Sequence, residues 1–256
     1  MKKPKVLFYD IETTPLLAWV WQCGEQVIRH GQLHDDRNMW DIICITYCYN
    51  DGKPAKHLDF DYDKQDSTKM IKEFDKLVAE ADIVIGKNNK RFDDKMVNAI
   101  RMFKDLPCNP DWIKYTGDLE KQLRKYFRLP SQALDYISAK LGFGGKIKME
   151  MRDWVDIVTR HPTRGRKAFN KMIKYGKKDI LDTRNIYNYV ANHCEPIFNQ
   201  GLFQADDRPR CRHCGSASVH SKGYRQTTTS RYRLFKCNDC GRDAGRTTAK
   251  DPKKLT

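Results

Sequence analysis

Three short stretches of the chain carry carboxylates at spacings that could serve one site. In VLFYDIE, Asp10 and Glu12 stand two apart at the end of an apolar run that reads as a strand, so both side chains leave the same face of the sheet. Two acids so placed repel unless a cation lies between them. In IVIGKNNKRFDDKMV an apolar strand runs into Gly86 and Asn88, and Phe92-Asp93 opens the next helix, where the helix dipole by itself favours an acid. In YGKKD, Tyr175 and Asp179 sit at i and i+4 of a helix, beside the stripe of Met172, Ile173, Gly176, Ile180 and Thr183. Taken singly these are an exposed strand end, a helix N-terminal acid and an amphipathic edge. Asp118 and Asp182 lie near the same stretches and read as surface or supporting acids.

A fourth pattern asks for a different cation. Cys211-x-x-Cys214 and Cys237-x-x-Cys240 are 22 residues apart, and Gly215 and Gly241 follow the second cysteine of each pair. Two such turns aim four thiolates at one tetrahedral Zn²⁺, a structural site. His213 and His220 are possible substitute ligands, although four cysteines suffice. Cys23, Cys44, Cys48, Cys108 and Cys194 have no comparable spacing and read as core or neutral positions. Between the pairs, Lys222, Tyr224, Arg225, Arg231, Tyr232 and Arg233 interleave charge with aromatic faces, which suits phosphate contacts and base stacking. A solvated ribbon docking a protein is the alternative.

DIE, GKNNKRFD and YGKKD, in this order and at this spacing, resemble the three motifs of the DEDD exonucleases in their tyrosine-bearing branch, DEDDy, of the RNase H-like superfamily. The stretch TGDLEKQLRKYFRLPSQALDYISAKLGFGGK is similar to the segment joining motifs two and three in the proofreading domains of family B DNA polymerases and in stand-alone exonucleases. The resemblance spans residues 5 to 190. It implies an α/β fold with an RNase H-like mixed central sheet flanked by helices, and 3′-to-5′ hydrolysis of phosphodiester bonds with two Mg²⁺ or Mn²⁺ ions. Carried over by motif, Asp10 bridges both ions, Glu12 and Asp179 complete the water-activating site, Asp93 serves the leaving-group site and Tyr175 orients the attacking water. Phe92 fixes the register on Asp93 rather than on Asp94, and Asn88 supports the site or touches substrate. A 3′ end must be unpaired to enter such a site, so single-stranded DNA is the expected substrate, with RNA the alternative within the class. A catalytically silent nucleic-acid-binding scaffold is the alternative outside it. The cysteine segment resembles the zinc ribbons of transposase-associated and other DNA-binding proteins.

The elements that must position these groups are legible in outline. Lys5 to Ile11 reads as a first strand, and Asp41 to Tyr49 with Ala55 to Phe60 as a hairpin, so the sheet is partly antiparallel. Ser67 caps a helix carrying Met70, Ile71, Phe74, Leu77 and Val78, followed by a buried strand from Ala81 to Ile85. Helices are expected after Asp93 as far as the Pro107 and Pro110 segment, over Leu119 to Tyr126, over Ser131 to Leu141, and from about Arg166 to Asn192. Lys146 to Lys178, with 11 basic and three acidic residues, reads as the most positive stretch of the body.

The chain has 256 residues, 39% of them hydrophobic, which is enough for a core and excludes disorder throughout. Two domains are expected, residues 1–204 as the exonuclease body and 205–256 as the zinc ribbon with a basic, disordered end. A net charge of +15 points to a polyanion, here single-stranded nucleic acid, and a replication or recombination protein is a possible further partner. No run of 18 apolar residues occurs, and Asp10 and Glu12 break the first hydrophobic stretch, so no membrane partner and a cytoplasmic location with reduced thiols are expected.

Overall fold

The hairpin expected between residues 41 and 60 forms one edge of a five-stranded sheet. In this computed structural model, which describes residues 4–34, 39–107, 116–145, 147–203 and 208–248, strands β1 (Val6–Thr13), β2 (Ile42–Tyr49), β3 (Lys56–Asp59), β4 (Ile83–Gly86) and β5 (Thr116–Asp118) lie in the order β3-β2-β1-β4-β5. β1 pairs antiparallel with β2 and parallel with β4, so the sheet is mixed. Expectations at Cys108, Pro110, Lys146, the boundary at 204 and 205, and residues 249–256 of the tail fall outside the described residues.

The chain divides into two compact units, Lys5–Asn188 and a second from Tyr189 onward. In the first, alternation along β1 sends neighbouring side chains to opposite faces. Tyr9 packs on Phe74 of α1 (Thr68–Glu80), with ring centroids 5.0 Å apart, and Phe8 packs edge-on against Tyr187 of α6 (Gly165–Val190), at 5.2 Å. Helices therefore flank both faces. Among the described residues, this unit also contains α2 (Asp93–Phe103), α3 (Leu119–Tyr126), α4 (Leu134–Lys140) and α5 (Met151–Val158). Leu7, Tyr9, Ile11, Phe74, Val97 and Met172 belong to one buried cluster.

Local details depart from the sequence reading. Ser67 precedes α1 but does not cap it: its backbone is already in the right-handed helical region rather than the extended conformation of a capping residue, and its hydroxyl donates to Asp41. The helix expected from Ser131 is the shorter α4, and α5 lies unforeseen in the basic stretch, where Trp154 and Ile157 turn inward from among charges. β5 has only three residues, too few to show periodicity. Asp118 and Asp182 are both buried, not on the surface. Asp118 caps α3 by accepting from the Glu120 and Lys121 amides, and Asp182 accepts from Ser138 and Lys178.

The second unit contains a three-stranded antiparallel sheet, β6 (Val219–Gln226), β7 (Arg231–Cys237) and β8 (Asp243–Thr248), in that order. Its small core is Cys211, Cys237 and Ala244 with Val219, Phe235 and Cys240 packed against them. Among the described residues, no helix is long and apolar enough to cross a membrane.

Candidate functional site

The C-terminal end of β1 is where the predicted acids meet. Asp10 pairs across to Thr46 and Glu12 to Cys44, so these four side chains share the face that α6 covers. α6 comes unusually close here. A Cβ on Gly176 would lie 2.7 Å from the Thr46 methyl and 3.1 Å from its hydroxyl oxygen, so only glycine fits at this crossing. Tyr175 precedes Gly176 and Asp179 follows one turn later, so that crossing delivers both to the acidic end of β1. A β-bulge between Glu12 and Thr13 then re-aims the strand as it leaves the sheet.

The opposite wall comes from the loop after β4. Gly86 lets this loop turn back, since a Cβ there would stand 2.6 Å from the Asn89 Cβ and 3.2 Å from the Tyr9 carbonyl oxygen. Asn88 adopts a left-handed φ of 64°, and its amide donates to Asp118 at 2.9 Å. Its backbone thus shapes the loop, a role that asparagine tolerates better than most residues. Asp93 then opens α2, buried to 4% exposure, and its Oδ1 accepts the Ile11 amide at 3.2 Å.

The charges of these residues act on one another. Burial, then the charges of Asp93, Glu12 and Asp179, push the Asp10 carboxyl well above the usual range, with Lys87 opposing. Burial raises Asp93 to about 7 against the pull of the Asp93 and Ile11 amides, with Asp94 and Asp118 adding to it. Tyr175 is also raised, by burial first and then by Asp179, to which it is hydrogen-bonded. It remains a neutral phenol at any working pH. Carboxylates that repel in a dry site are what a hard divalent cation relieves, so this donor set fits Mg²⁺ or Mn²⁺. Sequence reasoning missed Lys87, Thr46 and the capping role of Asp118, all of which depend on contacts distant in sequence.

A cavity of about 730 Å³ is lined not by the acids themselves but by residues next to two of them in the chain, Thr13 after Glu12 and Phe92 before Asp93. Thr13 and Pro15 border it from the strand end, Phe92 and Lys95 from α2, and Trp40 and Trp154 from further along the chain. Its walls are largely apolar and aromatic, with Arg91 and Lys95 supplying positive charge.

In the second unit, the sulfurs of Cys211, Cys214, Cys237 and Cys240 all lie within 4.8 Å of one another. Cys211 and Cys240 are 3.7 Å apart and Cys214 and Cys237 3.6 Å, close to the edge of ~3.8 Å that a tetrahedron with Zn–S bonds of about 2.3 Å requires. None of the four is in a disulfide. Gly215 and Gly241 take φ of 75° and 68°, and their amides bond back to the Cys211 and Cys237 carbonyls, which closes each knuckle. Amides of Cys214 and His213 donate to the Cys211 sulfur. The site fits zinc. Among the described residues, neither His213 nor His220 joins the cluster. The His220 Nδ1 lies 2.6 Å from the Asn238 side-chain oxygen instead.

The ribbon tyrosines each lie beside an arginine. Tyr224 stands opposite Arg233 and Arg225 opposite Tyr232, so the two tyrosines lie on opposite faces of the sheet. The Arg231 guanidinium lies 4.1 Å over the Tyr224 ring, and that of Arg246 4.3 Å over Tyr232. Each ring thus already carries a cation.

No family model and no curated protein sequence matches this chain. Its structure is similar to that of the family B DNA polymerase from the hyperthermophilic archaeon Pyrobaculum calidifontis, with a TM-score of 0.53 at 12% identity, over 74% of this chain and 25% of that one. The chain thus spans a quarter of the polymerase's length, and the likeness is one of fold.

Proposed function

We propose that the protein is a metal-dependent 3′-to-5′ exonuclease acting on single-stranded nucleic acid, DNA before RNA. The observation that carries this reading is the convergence of Asp93, Glu12 and Asp179 on Asp10, whose carboxyl is pushed well above the usual range by burial first and then by their charges. Asp10, Glu12 and Asp179 would hold the ion that activates water, and Asp10 with Asp93 the ion at the leaving oxygen. Two bound divalent ions would supply a hydroxide at neutral pH and offset charge on the leaving group. Tyr175, a neutral donor beside Asp179, would orient the attacking water. The adjoining cavity, with aromatic walls and cations at Arg91 and Lys95, suits an unpaired base and its phosphate. Residues 1–204 would form the catalytic body and 205–256 a zinc ribbon that holds nucleic acid through Arg225, Arg233 and the Tyr224 and Tyr232 faces.

Single-stranded oligonucleotides labelled at the 5′ or the 3′ end test this directly. With Mg²⁺ or Mn²⁺, the 3′ label should be released as a mononucleotide, EDTA should stop the release, and Asp10→Ala or Asp93→Ala should remove most of it. Digestion at the wild-type rate by both variants would sink the assignment.

A further inference from the structure

Asp93 and Asp94 are neighbours in the first turn of α2, yet the structure sends them to different partners. Asp93 accepts the Ile11 amide. Asp94 is held on the other side of the strand. The hydroxyl of Tyr9, a side chain with no exposure, donates to Asp94 Oδ1. The side-chain amide of Asn89, equally buried, donates to both Asp94 oxygens at 3.3 and 3.5 Å, and the Asp94 amide returns a bond of 2.9 Å to the Asn89 carbonyl. Gly86 lets Asn89 approach, so β1, β4, the following loop and α2 are tied at one point.

We propose that Tyr9, Asp94 and Asn89 form a latch that positions Asp93 for its divalent cation, an inference that rests on the metal-site reading above. Tyr9 directly precedes Asp10 in the chain and Asp94 directly follows Asp93, so one hydrogen bond between the outer pair fixes the spacing of the inner pair. The Ile11 amide restrains one Asp93 oxygen, and that one bond does not by itself fix the orientation of the carboxylate. The latch removes this freedom. An apolar pair in place of Tyr9 and Asp94 would fill the space without the cost of burying a carboxylate, so the distinctive contribution of the polar pair is direction. Tyr9 and Asp94 are positioning residues, which act through Asp93 and touch neither ion nor substrate.

Mn²⁺ binding to the full-length protein, followed by calorimetric titration without nucleic acid, tests the latch. Tyr9→Phe keeps the ring and loses the bond, and Asp94→Ala loses it from the other side. Both should weaken the Mn²⁺ site that depends on Asp93 by about 10- to 100-fold, the range seen for groups that orient a ligand. The double variant should be no weaker than the worse single variant, because both remove the same contact. Phe169→Leu, a core change where that ring packs on Phe60 and Tyr62, controls for lost stability and should leave Mn²⁺ affinity unchanged. Wild-type affinity in Tyr9→Phe and Asp94→Ala, or additive losses in the double variant, would overturn the latch alone. A wild-type protein that binds no Mn²⁺ would overturn both the latch and the reading of the acids.

Discussion

At the scale of single residues, Asp93 makes the acidic site sensitive to pH. Burial is the chief reason its carboxyl titrates at about 7 in the fold, whereas an unfolded chain releases that proton near 3.9. Folding therefore favours the protonated form. The stability this contributes is complete below about pH 4 and is lost as pH rises through about 7. Asp10, raised in the same direction, adds to the trend. A divalent cation reverses it by favouring the ionised carboxylates. In EDTA the melting temperature should fall between about pH 5 and about pH 8, and Asp93→Asn, which keeps the shape and cannot ionise, should remove much of that fall. Mg²⁺ should raise the melting temperature of the wild type more at the higher pH. An equal rise at both, or an unchanged pH dependence in Asp93→Asn, would show that this carboxyl does not govern the site.

At the scale of elements, the crossing of α6 over β2 sets where Tyr175 and Asp179 stand. Gly176→Ala puts a methyl within 2.7 Å of the Thr46 side chain, so the helix must move or the core must strain. Overpacking of this kind costs about 1–3 kcal/mol, and displacement of Asp179 should lower turnover in the proposed nuclease reaction as well. The Thr46 hydroxyl is buried without a hydrogen-bond partner among the described residues, so Thr46→Ala clears the space without breaking a bond. Gly176→Ala combined with Thr46→Ala should recover both melting temperature and turnover. Recovery of neither would mean that the crossing is not what positions Asp179. The sequence already placed Asp10 and Glu12 at a strand end and Tyr175 and Asp179 on one helical face, because periods of 2 and 3.6 are local signals. It gave no sign of Thr46 lying against Gly176, or of Asp118 accepting the Asn88 amide. Those pairings join residues far apart in the chain, and only the fold brings them into register. Ser67 misled for a similar reason: its hydroxyl had a charged partner in Asp41, which no local pattern shows.

At the scale of the whole molecule, the proposed carboxylate site and the four-cysteine cluster belong to two separate compact units, hard donors in one and soft thiolates in the other. One zinc per chain should be found by elemental analysis, and Cys237→Ser should abolish it while the circular dichroism of the helices persists, since the small core of the ribbon is built on its cysteines. Absence of zinc from protein purified without chelator would remove the ribbon assignment. The ribbon's charge leads to the last expectation. Residues 205 to 256 carry 13 basic and five acidic side chains, a net +8, and the described arginines occupy both faces of the three-stranded sheet. Some of that charge is spent internally, as Lys222 pairs with Asp243 and Arg212 with Glu195. Arg225, Arg233 and Arg246, all on the ribbon strands, are candidates for phosphate contacts. Replacing all three with glutamine should weaken binding to single strands and flatten the slope of log K against log salt by about two units, at about 0.7 per lost contact. Turnover at saturating substrate should change little, because contacts that take no part in the chemical step contribute affinity rather than transition-state stabilisation. Tyr224→Ala should also lower affinity, by loss of a stacking surface and of the platform that holds Arg231. If the triple variant binds oligonucleotides with the wild-type affinity and salt slope, the ribbon faces do not hold the strand, and a protein partner becomes their expected occupant.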